Sequence, residues 1–143
     1  MALKQVMICV IDGQGGGIGS TIVKRIKEEF GERVEIIALG TNSIATAAMM
    51  KARANRGATG ENAIVRMAPQ ADYIIGPISI VMANAMMGEL TPVMAEAISS
   101  SPASKMLLPL SQEKVTIIGV TSQPLPHLVE DLIVKELKEK IDV

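Results

Sequence analysis

Apolar residues fall in two rhythms along this chain. Val6, Met7, Ile8, Cys9, Val10 and Ile11 form an unbroken run rich in β-branched side chains. That is the pattern of a strand buried on both faces of a parallel sheet. Ile18, Ile22, Ile26 and Phe30 then recur at every fourth position, which makes one stripe of a helix that Gly31 ends. Val34, Glu35, Ile36, Ile37, Ala38 and Leu39 read as a second strand. Strand, glycine loop, helix and strand in so short a span make a βαβ unit.

The next segment, 41–54, is alanine-rich and helical, with Thr41, Asn42 or Ser43 as its cap. Gly57, Ala58, Thr59 and Gly60 break it; a turn between two helices is the favoured reading there, ahead of a second ligand loop. A short helix over 61–67 follows. Tyr73, Ile74 and Ile75 form a third strand, stopped at Gly76 and Pro77. Residues 78–87 are apolar nearly all round, so a helix there would be buried. Thr91 and Pro92 open another helix, with proline at the tolerated first position. Met106, Leu107 and Leu108, then Val115, Thr116, Ile117 and Ile118, are two more strands. The few residues between them are too short for a parallel crossover, so the last strand is expected to be antiparallel. A final helix over 126–141 presents Leu128, Leu132, Ile133, Leu137 and Ile141 on one face.

These elements predict one Rossmann-like α/β domain over 1–143. It is a three-layer α/β/α sandwich whose five-stranded sheet is mostly parallel, in the order 3-2-1-4-5, with an antiparallel last strand. Composition narrows the function classes. The formal charge is −1 over 143 residues and the isoelectric point is about 5.8. Both argue against a nucleic-acid or anionic-membrane partner, which binds through clustered Lys and Arg. An apolar fraction of 48% and a mean hydropathy of +0.34 exclude a disordered chain. One cysteine excludes a disulfide framework and any multi-cysteine metal site. Met1, Ala2, Leu3 and Lys4 lead straight into the first strand, without the regions of a secretory signal. The longest uncharged run, 73–88, falls short of the roughly 20 apolar residues that span a bilayer. A cytoplasmic protein is expected.

The candidate chemistry lies at Gly13, Gln14, Gly15, Gly16, Gly17, Ile18 and Gly19, between the first strand and the first helix. A helix N-terminus carries unpaired N–H donors and about half a positive charge, and glycines let a phosphate approach them. A turn needs one or two glycines; five within seven residues favour phosphate binding over a bare turn. The spacing is G-x-x-x-G-I-G, without the Gly-Lys-Ser/Thr of a P-loop. It resembles the cofactor loop of short-chain dehydrogenases, and that resemblance implies a nicotinamide dinucleotide with its pyrophosphate on the loop. Those enzymes carry a Tyr-x-x-x-Lys pair. Here the only tyrosine is Tyr73, and Pro77 stands four residues on. The resemblance therefore implies binding rather than dehydrogenase chemistry.

Gly40, Thr41 and Asn42 at the end of the second strand, and Gly76 and Pro77 at the end of the third, are the expected further contacts. No carboxylate follows the second strand, where one usually takes the ribose 2′-hydroxyl of NAD, which favours NADP over NAD. Asp12 either braces the turn through loop amides or holds Mg²⁺ for phosphate chemistry, and bracing is favoured. Residues 67–104 contain no Lys or Arg, and Met67, Met82, Met86, Met87 and Met94 fall among them. Such an adaptable apolar stretch favours a subunit interface, and a homo-oligomer, most simply a dimer, is expected.

Four segments carry a second resemblance. They are Ile11 through Gly19, then Ala38-Leu39-Gly40-Thr41-Asn42, then Gly57-Ala58-Thr59-Gly60-Glu61-Asn62-Ala63-Ile64, and finally Ile75-Gly76-Pro77-Ile78. In them the chain resembles a family of small bacterial proteins, found largely in anaerobes, that brings no established activity. The combined reading is a small module that binds or senses a dinucleotide, NADP ahead of NAD, or a related phosphorylated ligand at Gly13 through Gly19, with no metal site and no catalytic residue singled out. The alternative is a small enzyme: a reductase completed by its oligomer partner, or a Mg²⁺-dependent phosphate-handling enzyme using Asp12.

Overall fold

A computed structural model describes residues 5–111 and 113–141. Met1, Ala2, Leu3 and Lys4, named above for what they say about a leader, lie outside the described residues. Five strands form one sheet: β1 (Val6–Asp12), β2 (Val34–Gly40), β3 (Arg56–Thr59), β4 (Tyr73–Pro77) and β5 (Ser104–Leu108). Their order is β3-β2-β1-β4-β5. All four ladders are parallel, from Val6 opposite Val34 on one side of β1 to Ile8 opposite Tyr73 on the other. The connections carry α1 (Gly17–Phe30), α2 (Ser43–Lys51), α3 (Glu61–Met67) and α4 (Pro92–Ser99). The chain closes with α5 (Leu125–Asp131), a π-helical stretch Leu132–Leu137, and α6 (Lys138–Ile141).

The unbroken apolar run of β1 has the cause expected of it. Successive side chains of a strand point to opposite faces, and here both faces are covered. Ile8 and Val10 pack with Ile22, Val23 and Ile26 of α1 and with Val129 and Ile133 of the closing helix. Cys9 and Ile11 pack with Ile64 of α3 and with Met94 and Ile98 of α4. Ile8, Cys9, Val10 and Ile11 have no exposed surface. Each fully buried aliphatic side chain contributes on the order of 1.5–3 kcal/mol. This is a Rossmann-like three-layer α/β/α sandwich, as the pattern predicts.

Several expectations are corrected. The last strand is parallel, not antiparallel. Val115, Thr116, Ile117 and Ile118 form no strand, and Ile118 is 89% exposed. β-branched residues make a strand only where a neighbour pairs with them. Here the chain after β5 instead travels back so that α5 can lie against α1, where Arg25 meets Glu130 at 2.8 Å. The fifth strand is gained at the opposite edge. Gly57, Ala58 and Thr59, expected in a turn, belong instead to β3, which pairs with β2. The strand at Tyr73, Ile74 and Ile75 accordingly lies beside β1 rather than at the edge beside β2. Met106, Leu107 and Leu108 lie at the other edge, in β5. Residues 78–87 make one 3-10 turn, Ile78–Val81, and no longer helix. The backbone then turns left-handed at Asn84, Met86, Met87 and Gly88.

Candidate functional site

The strand order reverses between β1 and β4, and the space outside their C-terminal ends is the usual ligand crevice of such sheets. The loop after β1 is built tightly there. Residues 13–16 make a turn closed by the Gly16 N–H to the Gly13 carbonyl at 2.9 Å. Gln14 has φ 50° and Gly16 φ 75°. A Cβ on Gly16 would stand 2.8 Å from the Ala45 Cα, so this glycine also lets α2 approach the loop. Gly13 is hemmed in by the Met86 Sδ and the Thr41 Oγ1.

Asp12 holds this turn from beneath. Its Oδ1 accepts the Gly13 N–H at 2.8 Å and its Oδ2 accepts the Gly19 N–H at 2.6 Å. The residue is 4% exposed. Burial pushes its carboxyl above the ordinary range, and the Gly19 and Gly13 N–H bonds pull it part of the way back. Both oxygens are committed to the backbone, so Asp12 braces the turn. Among the described residues no group of three or more His, Cys, Asp or Glu is placed to hold a metal ion.

The loop leaves part of its donor capacity unspent. The N–H groups of Gly15, Gly17 and Ile18 meet no acceptor among the described residues. Gly15 and Gly17 are exposed, and a Cβ on either would meet nothing within 4 Å. Beside them lies a cleft of about 600 Å³. Asp12, Gln14, Ile18 and Pro77, all expected site residues, line it. Gly76 does not; it allows β4 to press against the Ile11 carbonyl.

Gly40, Thr41 and Asn42 come to the other side of the loop and do not line the cleft. Asn42 caps α2, its Oδ1 accepting the Ala45 N–H at 2.9 Å. Its Nδ2 donates to the Gln14 carbonyl at 3.0 Å. Thr41, Asn42 and Gln14 then share an acceptor that the sequence reading missed. One carboxylate oxygen of Glu89, Oε1, accepts the Gln14 N–H, the Thr41 hydroxyl and the Asn42 amide, each at 2.8 Å. Those bonds, that of Gln14 foremost, hold the Glu89 carboxyl below its ordinary range against the opposing effect of burial. The other oxygen, Oε2, has no partner among the described residues.

Glu89 belongs to a strap, 82–90, that lies against the glycine loop. Asn84, Met86 and Met87 of the strap wall the cleft. Leu110, Ser111 and Glu113, after β5, close its far side. The two walls are joined where the Met86 N–H donates to the Glu113 Oε1 at 2.9 Å. Among the described residues, none that lines the cleft is a Lys or Arg. The only hint of this arrangement in the sequence was that Glu89 is the first charge after the long uncharged run.

The fold and loop define a doubly wound α/β domain with a glycine turn at its switch point. The family profile described as Domain of unknown function (DUF3842) matches residues 7–142, and the chain belongs to that family. No curated protein matches it. A solved structure of a universal stress protein in complex with cAMP is similar at 17% identity, with a TM-score of 0.42, over 73% of this chain and 98% of that one. Among the described residues no helix is long and apolar enough to cross a membrane.

Proposed function

We propose that this chain is a binding or sensing module for a nucleotide-type phosphate ester, seated between the glycine loop and the segments after β4 and β5. The observation that carries the reading is the set of unspent N–H donors of Gly15, Gly17 and Ile18 at the head of a 14-residue helix, beside a cleft of about 600 Å³. Helix heads of this kind favour an anion through both their N–H groups and the helix dipole, and the volume lies within the range of small-molecule sites. The commitment of both Asp12 oxygens to backbone amides supports binding over Mg²⁺-dependent phosphate chemistry. The loop's likeness to short-chain dehydrogenases adds the nicotinamide dinucleotides to the candidate ligands, and the lack of a carboxylate directly after β2 in the sequence puts NADP ahead of NAD among them. A homodimer in the cytoplasm belongs to the same proposal, and light scattering in solution tests the dimer.

A thermal-shift series with NADP, NAD, ATP, FAD, coenzyme A, mononucleotides and free phosphate, each with and without Mg²⁺, tests the function. A ligand present at 100 times its Kd stabilises by about 2.7 kcal/mol, which moves the melting temperature by several degrees in a domain of this size. A selective shift that is independent of Mg²⁺ is the expected result. No shift with any of them overturns the reading.

A further inference from the structure

We infer that Glu89 is a specificity-determining residue that closes the β2 side of the glycine loop, so that the site takes a ligand of one nucleotide and a single phosphate, not a dinucleotide. The inference rests on the proposed function and narrows it.

A dinucleotide bound across a doubly wound sheet needs both flanks of the glycine loop. One nucleoside lies over the end of β2 and the other beyond the switch point, with the pyrophosphate between them. Here the two flanks differ. Over β2, the donors that would meet the first nucleoside and its phosphate are already used. The Gln14 N–H, the Thr41 hydroxyl and the Asn42 amide converge on one oxygen of Glu89. The strap that delivers Glu89 lies on the loop itself, with the Met86 Sδ and the Glu89 Oε1 crowding Gly13. A phosphate brought to that flank must displace a carboxylate held by three hydrogen bonds, or stand beside its negative charge. The Thr41 and Asn42 side chains thus recognise an oxyanion that the chain supplies for itself.

The flank over β4 is open. Its cleft offers apolar walls from Ile18, Pro77, Met86 and Leu110, with Ser79 and Asn84 as hydrogen-bonding groups. Ile18, whose N–H is unspent, lines its loop side, directly after Gly17 in the chain. Its charged lining residues are Asp12 and Glu113, and among the described residues no Lys or Arg lines it. Three neutral N–H donors suit one phosphate. Without a Lys or Arg they are poorly matched to the greater charge of a triphosphate. The same logic removes the reason for preferring NADP. The carboxylate missing after β2 in the sequence is delivered there by Glu89, and it repels a 2′-phosphate.

The test is isothermal titration of the wild-type chain and of Glu89→Ala with AMP, GMP, CMP, UMP, NAD and NADP, with folding checked by circular dichroism. At least one mononucleotide is expected to bind the wild type at least tenfold more tightly than either dinucleotide. In Glu89→Ala the ratio is expected to shift at least tenfold toward the dinucleotides. Wild-type binding of NAD or NADP as tight as that of the best mononucleotide overturns the inference and leaves the proposed function standing. An unchanged ratio in a folded Glu89→Ala also overturns the role of Glu89. Binding of no nucleotide by either protein overturns this inference, and an empty thermal-shift series overturns the proposed function with it. If Glu89→Ala does not fold, the wild-type comparison decides between one nucleotide and two.

Discussion

Glu89 and Gln14 stand 75 positions apart in the chain, yet the Glu89 carboxylate accepts the Gln14 backbone N–H at 2.8 Å. This contact ties the segment after β4 to the turn after β1. It joins two connections that the sheet alone would leave independent.

Glu89→Ala removes the shared acceptor of three donors at once. Water reaches this half-buried site, so the cost is that of exchanged hydrogen bonds rather than of sealed, unpaired ones. A loss of about 1 kcal/mol is expected from urea unfolding. The pH dependence has a definite sign. The folded carboxyl titrates below its ordinary value, so its stabilising contribution is complete above that ordinary value. It is lost as the pH falls through the lower folded value. Comparing wild type and Glu89→Gln between pH 6 and pH 2.5 should show a shallower acid loss in the variant.

Asp12→Asn replaces one of two accepting oxygens by an amide N–H₂ that faces a backbone N–H. One of the Gly13 and Gly19 donors is left without a partner in a site that is 4% exposed. A destabilisation of about 1–3 kcal/mol in denaturant unfolding is expected. Addition of Mg²⁺ should leave the wild-type melting temperature unchanged, because Asp12 is committed to the turn.

Gly16 and Gly17 are neighbours with opposite roles. Gly16→Ala places a Cβ in a left-handed position against the Ala45 backbone, and a loss of more than about 1 kcal/mol is expected. The Cβ of Gly17→Val meets nothing within 4 Å. The variant should unfold within about 0.5 kcal/mol of wild type while weakening mononucleotide binding at least tenfold by titration calorimetry. A Gly17→Val protein that binds as well as wild type would remove the loop from the ligand's path.

Cys9 has no exposed surface, and burial pushes its thiol up to about 12. Reaction with an aromatic disulfide reagent at pH 8 should be negligible in the native protein and complete within minutes in urea. The thiolate is the reactive form, and the core both hides and suppresses it.

What could be read from the chain followed the physics of burial. β1, β2, β4, α1 and the closing helix announce themselves because their apolar residues are spaced to fill a core. The segment at Arg56 through Thr59 has no such spacing. It becomes a strand because the Gly40 edge of β2 offers backbone groups to pair with, and an edge strand needs little side-chain burial. Val115 through Ile118 carry the right residue types and find no partner. The loop glycines marked the candidate site, and Asp12 marked the brace of its turn. Glu89 was not legible, because its value depends on donors at positions 14, 41 and 42, which only the folded sheet brings together.

β1 leads the strands in chain order yet lies at the centre of the sheet, where Met7 hydrogen-bonds Asp72 from 65 positions away. On a ribosome adding roughly 5–20 residues per second, β1 waits several seconds for β4. During that interval one edge of the most apolar strand in the protein is open. The nascent chain therefore passes through a half-sheet of β2, β1 and β3, and chaperone dependence should be greatest there. A truncation ending before β4 should be captured by chaperones far more strongly than the full-length chain.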